Sequence, residues 1–443
     1  VTLSYVEARK NSQLPASLPF SSLTHLCLLL IARSATLGDI ISVIANRVAA
    51  SSQCFCVNHN FAKLGGPQGM ENKRLISLIT PDGRLELFIE KTKVLECLEN
   101  QVLVEVQAAP FNPIDLKGLL AGATLSTLTR VTDGKRFGIQ GSIPNNKPGA
   151  LLSRIGKALV FGREGAGVVV AAGTSAAAKR LLGKTVAVKG DGTYQKYLLL
   201  DVNSCLKIDQ DLSPRQGASA FINPLTALSM LMVMRSGGHS ALINTAAASN
   251  LGQMLQRLCI AEEVPLINIV RNTQQARILS AIGARYVLNF EDARFSRTLE
   301  KYILETGATV AFDAIGGGEL AGQLLNAMHK VFSEDQGTPP TLNAGLRKHL
   351  YIYGGLNPSP TVIKRSFGLD WGIEGFLLDT HLREIGSTEM ERLRNVVAAN
   401  LTTIFASSYE EEISMTEALN PEALVRMSEL RTGGKYLLNP SLD

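Results

Sequence analysis

The residues with the most chemical promise lie in the second half of the chain. The segment Ala246-Ala-Ala-Ser-Asn-Leu-Gly252 follows the short apolar run Ala241-Leu-Ile-Asn-Thr245. After it come Leu251, Met254, Leu255 and Leu258 at helical spacing. A strand turning into a helix presents unpaired backbone N–H groups and the positive helix end to an anion. Three alanines let a pyrophosphate approach the backbone, and Gly252 lets helix and strand pack closely. Ser249 and Asn250 stand where glycines are usual. The turn nominates Ala247, Ala248, Ser249, Asn250, Leu251 and Gly252 as nucleotide contacts; the plainer reading is small residues that only pack.

Cofactor choice is set at the end of the second strand, where an acid binds the ribose 2′-hydroxyl and repels a 2′-phosphate. Here the residues are Val270-Arg271-Asn272, with no acid and one guanidinium. That favours NADPH over NADH, with Arg271 and Asn272 as contacts, unless Arg271 is simply solvated. Cys54, Cys56 and His59 are close together but lack a second ligand pair, so they make a poor zinc site.

The elements that must position these residues follow from size and pattern. At 443 residues the chain exceeds one compact core, so two domains and extra segments are expected. Lys and Arg number 44 against 39 Asp and Glu, too slight and scattered an excess for a nucleic-acid partner. No apolar run reaches the roughly 20 residues of a membrane span. The six cysteines show no disulfide spacing, which suits a reducing compartment.

Residues 1–70 carry only Glu7 and Asp39 as acids and are rich in Ser, Ala and Leu. This is either an organelle transit leader or sequence upstream of a start at Met70, leaving cytoplasm or mitochondrial matrix open. Residues 71–215 read as short β segments with Gly and Pro turns and one long loop, about Thr124 to Pro148. Residues 216–371 alternate strands with helices, ending with the strand His349–Tyr353, and imply a doubly wound parallel sheet. Residues 372–443 return to the first domain through a last strand at Gly434–Asn439.

From about Glu71 onward the chain resembles the medium-chain dehydrogenase/reductase superfamily, in its zinc-free, quinone-oxidoreductase-like branch. Ala108–Asp115, Gly162–Val168 with Gly173, Asn223–Ala227, the Ala246–Gly252 turn, Phe312–Gly317, Tyr353–Gly355 and Gly433–Leu438 carry the likeness. It implies an α/β architecture: a doubly wound Rossmann domain plus a GroES-like, mostly antiparallel β domain. It also implies that Asn112 and Thr226 lie over the nicotinamide end of the cleft, and that Ile315, Gly316, Tyr353, Gly354 and Gly355 bind cofactor. Asp115, Arg163 and Glu164 would lie near the substrate, with Asn112, Asp115, Arg163 and Thr226 as candidate catalytic residues. Arg163 and Glu164 could equally form a structural ion pair.

Zinc-dependent members have a Cys near Pro113 and a His at Arg163, so no metal is expected here. The reading that follows is hydride transfer from NADPH to a small-molecule electron acceptor, a quinone or an α,β-unsaturated carbonyl, which needs no Lewis acid. Two alternatives stand beside it. One is a metal-independent alcohol or aldehyde dehydrogenase; the other is an idle cofactor-binding subunit, for which the insertion Phe332–Gly345 would be the partner loop. A homodimer is expected by analogy.

Overall fold

The Thr80-Pro-Asp-Gly83 turn, with Gly83 at φ 83°, folds β1 (Glu71–Ile79) back on β2 (Arg84–Lys93) in a full antiparallel register. This computed structural model describes residues 70–133, 136–144, 149–209, 211–334, 347–429, 432 and 435–443. All belong to the unit Gly66–Asp443. Residues 1–69, with Cys54, Cys56 and His59, and most of the Phe332–Gly345 insertion lie outside the described residues.

The β-rich lobe contains two sheets. One has the order β4 (Thr129–Asp133), β5 (Arg136–Ser142), β2, β1 and β6 (Ala158–Val160). The other is built on β3 (Gln101–Pro110), which pairs antiparallel with β7 (Glu164–Ala172) and β9 (Tyr197–Asp201). β8 (Thr185–Lys189) and β10 (Cys205–Lys207) extend it beyond β7. The expected long loop after Thr124 is in fact largely the β4–β5 hairpin, docked on β2. Its polar, Gly-containing strands carry too few apolar residues to show a period-2 signal.

The second lobe carries a wholly parallel sheet. Five of its strands are β11 (Leu242–Asn244), β12 (Leu266–Val270), β13 (Tyr286–Asn289), β14 (Val310–Asp313) and β16 (Lys348–Ile352). A small strand, β15 (Gly316–Gly318), pairs outside the sheet with β17 (Asn357–Thr361). The sixth strand is β18 (Trp371–Gly375), and the order is β13-β12-β11-β14-β16-β18. Helices α1 (Ile222–Ser236), α2 (Asn250–Ala261), α3 (Thr273–Ala281), α4 (Phe295–Thr306) and α5 (Leu320–Glu334) cover its faces. Strands of this kind, buried on both sides, are continuous apolar runs; every residue of β12 is buried.

The sheet runs past the boundary expected at residue 372. β18 pairs with β16, and α6 (Leu378–Glu384) and α7 (Gly386–Ala399) bury Leu378, Leu382, Leu393 and Val397 in the core around Met230, Leu231 and Leu255. The Trp-Gly-Ile-Glu-Gly sequence of β18 reads as a turn in isolation. The chain returns at β19 (Tyr409–Ile413) and β20 (Lys435–Leu438), the latter pairing with β3 in the domain that the last strand was expected to rejoin. Pro214–Ser236 is, against expectation, long and apolar enough to span a membrane, but most of it is buried in the protein core.

Candidate active site

At the carboxyl end of β11 the chain turns sharply: Ala246 has φ 49°, a left-handed conformation that costs an alanine about 1 kcal/mol. Ser249 then caps α2, its hydroxyl oxygen accepting from Gly252 N–H at 3.2 Å. Among the described residues the N–H groups of Asn250 and Leu251 have no partner. A Cβ on Gly252 would lie 2.1 Å from the Ala247 oxygen, so this position admits only glycine. Ala247 and Ala248 are buried beneath the turn. Asn250, in a usual glycine position, donates to Ser407 Oγ at 3.1 Å and ties the turn to the segment before β19. Free amides, small side chains and a helix start fit a pyrophosphate.

One strand over, Arg271 follows β12. Its backbone N–H donates to Gln275 Oε1 at 2.9 Å, while its exposed guanidinium has no partner among the described residues. Asn272 sits beside it, but its side-chain oxygen accepts from Gln275 N–H at 2.9 Å and caps α3. Gln275 in turn donates to Thr432 Oγ1 at 2.6 Å.

Across the switch point between β11 and β14, the buried Asp313 organises the opposite lip. It accepts from Thr245 Oγ1 (2.7 Å), Ile315 N–H (2.9 Å) and Gly316 N–H (3.1 Å). Gly316 needs its φ of 77°, and a Cβ on Gly354 would meet the Ala314 oxygen at 2.5 Å. These two loops therefore pack backbone against backbone, with Gly355 open beside them. The Tyr353 hydroxyl donates to Asn244 Oδ1 at 3.2 Å; burial and the Asp313 charge raise its pKa.

The β-rich lobe supplies a buried polar cluster. Asn112 Nδ2 donates to Asp115 (3.2 Å) and to Glu164 Oε1 (3.0 Å). The other Glu164 oxygen accepts from the N–H groups of Phe221 and Ile222 at 3.0 and 2.8 Å, holding the start of α1. Thr226 lies on that helix, its hydroxyl donating back to Ile222 O at 2.5 Å. Burial raises Asp115 to about 7, with the Glu164 charge adding to it against the Asn112 hydrogen bond. Lys435, lowered by burial and pulled back up by Glu164 and Asp115, donates to Ser219 Oγ at 3.1 Å. Tyr409 donates to the same oxygen at 2.9 Å.

Arg163 pairs with Asp379 of α6 rather than with Glu164. Lys189 Nζ reaches the other Asp379 oxygen at 2.6 Å. Burial would raise Asp379, but its bonds to Lys189 and Arg163 prevail and hold it below the ordinary carboxylate value. The structure thus brings Asn112, Asp115 and Glu164 together and places Arg163 in a different contact. Sequence reasoning missed Lys189, Ser219, Asp379 and Tyr409, which have no local motif; Lys435 lay in the Gly433–Leu438 stretch but was given no site role. Among the described residues no three His, Cys, Asp or Glu side chains converge as metal ligands.

No family model matches the chain. It is 28% identical over 297 residues, 65% of this chain and 67% of the relative, to a mitochondrial enoyl-[acyl-carrier-protein] reductase of Arabidopsis thaliana. It spans 56% and 52% of the length of the proteins of that name from Caenorhabditis elegans and Mus musculus. A structure solved under the name of an NADPH:quinone reductase from Mesorhizobium loti aligns with TM-score 0.62 at 24% identity, covering 85% of this chain and all of that one. The fold is that of the medium-chain dehydrogenase/reductase superfamily. A further structure with this fold, described as a complex with NADP and crotonyl-CoA, aligns with TM-score 0.58 at 18% identity over 84% of this chain and all of that one. Within the superfamily fold the six-stranded sheet is the Rossmann part and the antiparallel sheets are the GroES-like part.

Proposed function

We propose that the chain is an NADPH-dependent oxidoreductase that reduces a double bond conjugated to a carbonyl, with enoyl thioesters favoured over quinones and without zinc. The observation that carries this is the Ala246–Gly252 turn, with free Asn250 and Leu251 amides at the carboxyl end of the central strand and an unpaired Arg271 one strand away. The names of the relatives, enoyl reductases and NADPH:quinone reductases, support the substrate class. The mitochondrial names of several, together with the acid-poor composition of residues 1–70, support a matrix location.

Bound NADPH supplies a hydride to an electron-poor carbon. This chain's residues do the rest. The turn amides bind the pyrophosphate, and Arg271 binds the 2′-phosphate. Ile315, Gly316 and Tyr353–Gly355 frame the nicotinamide carboxamide with backbone groups. Asn112 and Thr226 face the ring, and Glu164 fixes both, through its bond to Asn112 and its hold on α1. Asp115, about half protonated near pH 7, keeps an exchangeable proton beside this face.

The test is oxidation of NADPH and NADH by the full chain with crotonyl thioester, other enals and a quinone panel. Turnover with NADPH and the thioester is expected. In Arg271→Ala, NADPH affinity falls about ten- to hundredfold, the worth of one charge-assisted contact, while NADH binding is unchanged. Binding of neither cofactor would favour the idle-subunit reading. Equal losses for both would make Arg271 structural.

A further inference from the structure

In open parallel α/β sheets the ligand crevice lies beyond the carboxyl ends of the strands, with the two halves of a dinucleotide on opposite sides of the switch point. The phosphate turn follows β11 and Arg271 follows β12, so the adenosine half belongs to the β12 side. The β14-β16-β18 side is left for the reacting half. Asp379 sits there, in the first turn of the helix that follows β18. Phe376 N–H donates to Ile352 O at 2.8 Å, which aligns the exit of β18 with the end of β16.

The opposite lobe reaches this carboxylate with two cations. Arg163 immediately precedes β7, and Lys189 ends β8 directly across the ladder from Glu164. Arg163 takes one Asp379 oxygen and Lys189 the other, and all three side chains are only 29–32% exposed. The next residue after Arg163 is Glu164, whose carboxylate holds Asn112 and the first amides of α1. The ion triad is therefore joined, through one peptide bond, to the buried Asn112–Glu164 polar cluster. A second tie on the same flank runs from Arg394 of α7 to the Asn203 and Cys205 carbonyls.

We infer that Asp379 is a positioning residue: by clamping Arg163 and Lys189 it sets the spacing between the cofactor-bearing sheet and the Asn112–Glu164 cluster, and hence the hydride-transfer distance. This rests on the reductase reading above. A misplacement of about 1 Å in a reacting pair costs up to a hundredfold in rate. The phosphate turn and Arg271 do not touch the triad, so cofactor affinity and turnover separate when the clamp is cut.

The experiment compares full-length parent, Asp379→Asn, Asp379→Glu and Lys189→Gln. It measures NADPH affinity by fluorescence, and kcat, KM and the isotope effect with NADPH deuterated at the transferred hydrogen. In Asp379→Asn we expect kcat to fall ten- to hundredfold with NADPH affinity within about threefold of the parent, and the isotope effect to rise as hydride transfer becomes limiting. Asp379→Glu recovers most of kcat. If Asp379→Asn does not fold, Lys189→Gln shows the same separation more weakly. Parental kcat and isotope effect in either folded variant overturn the proposal. If the parent turns over no acceptor, the reductase reading has failed. The clamp is then judged by a double-mutant cycle of Arg163→Gln and Asp379→Asn on thermal midpoints at low and high salt. Coupling that salt weakens supports it, and additivity overturns it.

Discussion

Asp115 is a carboxyl buried where its charge is costly. Asn112 Nδ2 supports its ionised form, but desolvation and the Glu164 charge outweigh this and take it from 3.8 to about 7. Below about pH 4 folded and unfolded states both hold the proton, and the stability contribution is fully present. From about pH 4 to pH 7 the unfolded chain ionises this carboxyl while the folded state still holds the proton, so unfolding becomes easier. Stability is lost over that window, on the order of 4 kcal/mol at most. Asp115→Asn removes the titration. Its denaturation midpoint should gain on the parent between pH 4 and pH 7 and level off above that. The same difference at both pH values would mean that Asp115 titrates as an ordinary exposed acid. Asn112 and Glu164 were readable as residues of interest from the Ala108–Asp115 and Gly162–Val168 stretches. That one Glu164 carboxylate both holds Asn112 and starts α1 was not, because the acceptor and its donors are 52–58 residues apart.

At the scale of the element, the β11–turn–α2 unit depends on one atom-sized gap. The ideal Cβ on Gly252 would fall 2.1 Å from the Ala247 oxygen, an approach that backbone cannot yield to without shifting the helix start. Gly252→Ala should cost about 1–3 kcal/mol, as overpacking does, and lower the thermal midpoint by several degrees. NADPH affinity should fall at least tenfold, since the same shift moves the Asn250 and Leu251 amides. Gly149→Ala, with nothing within 4 Å of the added Cβ, is the control and should change neither. An unchanged melting curve and NADPH titration for Gly252→Ala would show that the turn does not hold phosphate in this form. The period-3.6 pattern and Gly252 made this unit legible. The hairpin β4–β5 and the strand β18 were not, because sparse apolar residues and interior glycines gave no period to read.

For the whole molecule, the parallel sheet ends at β18, which pairs with β16 alone among the described strands. Leu369 and Leu377, 80% and 57% exposed, flank that free edge. An open edge with apolar neighbours invites pairing, and a two-fold copy is its commonest cover. We predict a homodimer formed across β18. Light scattering at micromolar concentration should give twice the chain mass, and Ile373→Pro, which removes a ladder donor, should give one. A parent that is strictly monomeric rules the dimer out.

The amino-acid sequence by itself determined the alternation of strands and helices, the phosphate-type turn, the basic residue after β12 and the existence of a last strand at the end of the chain. All of these are local: periodicity, small residues at one turn and a short apolar run suffice to define them. Only the tertiary structure decided that Asp379 meets Arg163 and Lys189 across 216 and 190 residues, and that Lys435 and Tyr409 share Ser219. It also decided that the segment around α6 and α7 belongs with the parallel sheet. Such pairings follow from which surfaces are buried together. A charged residue carries no mark of its partner until the fold takes both out of water.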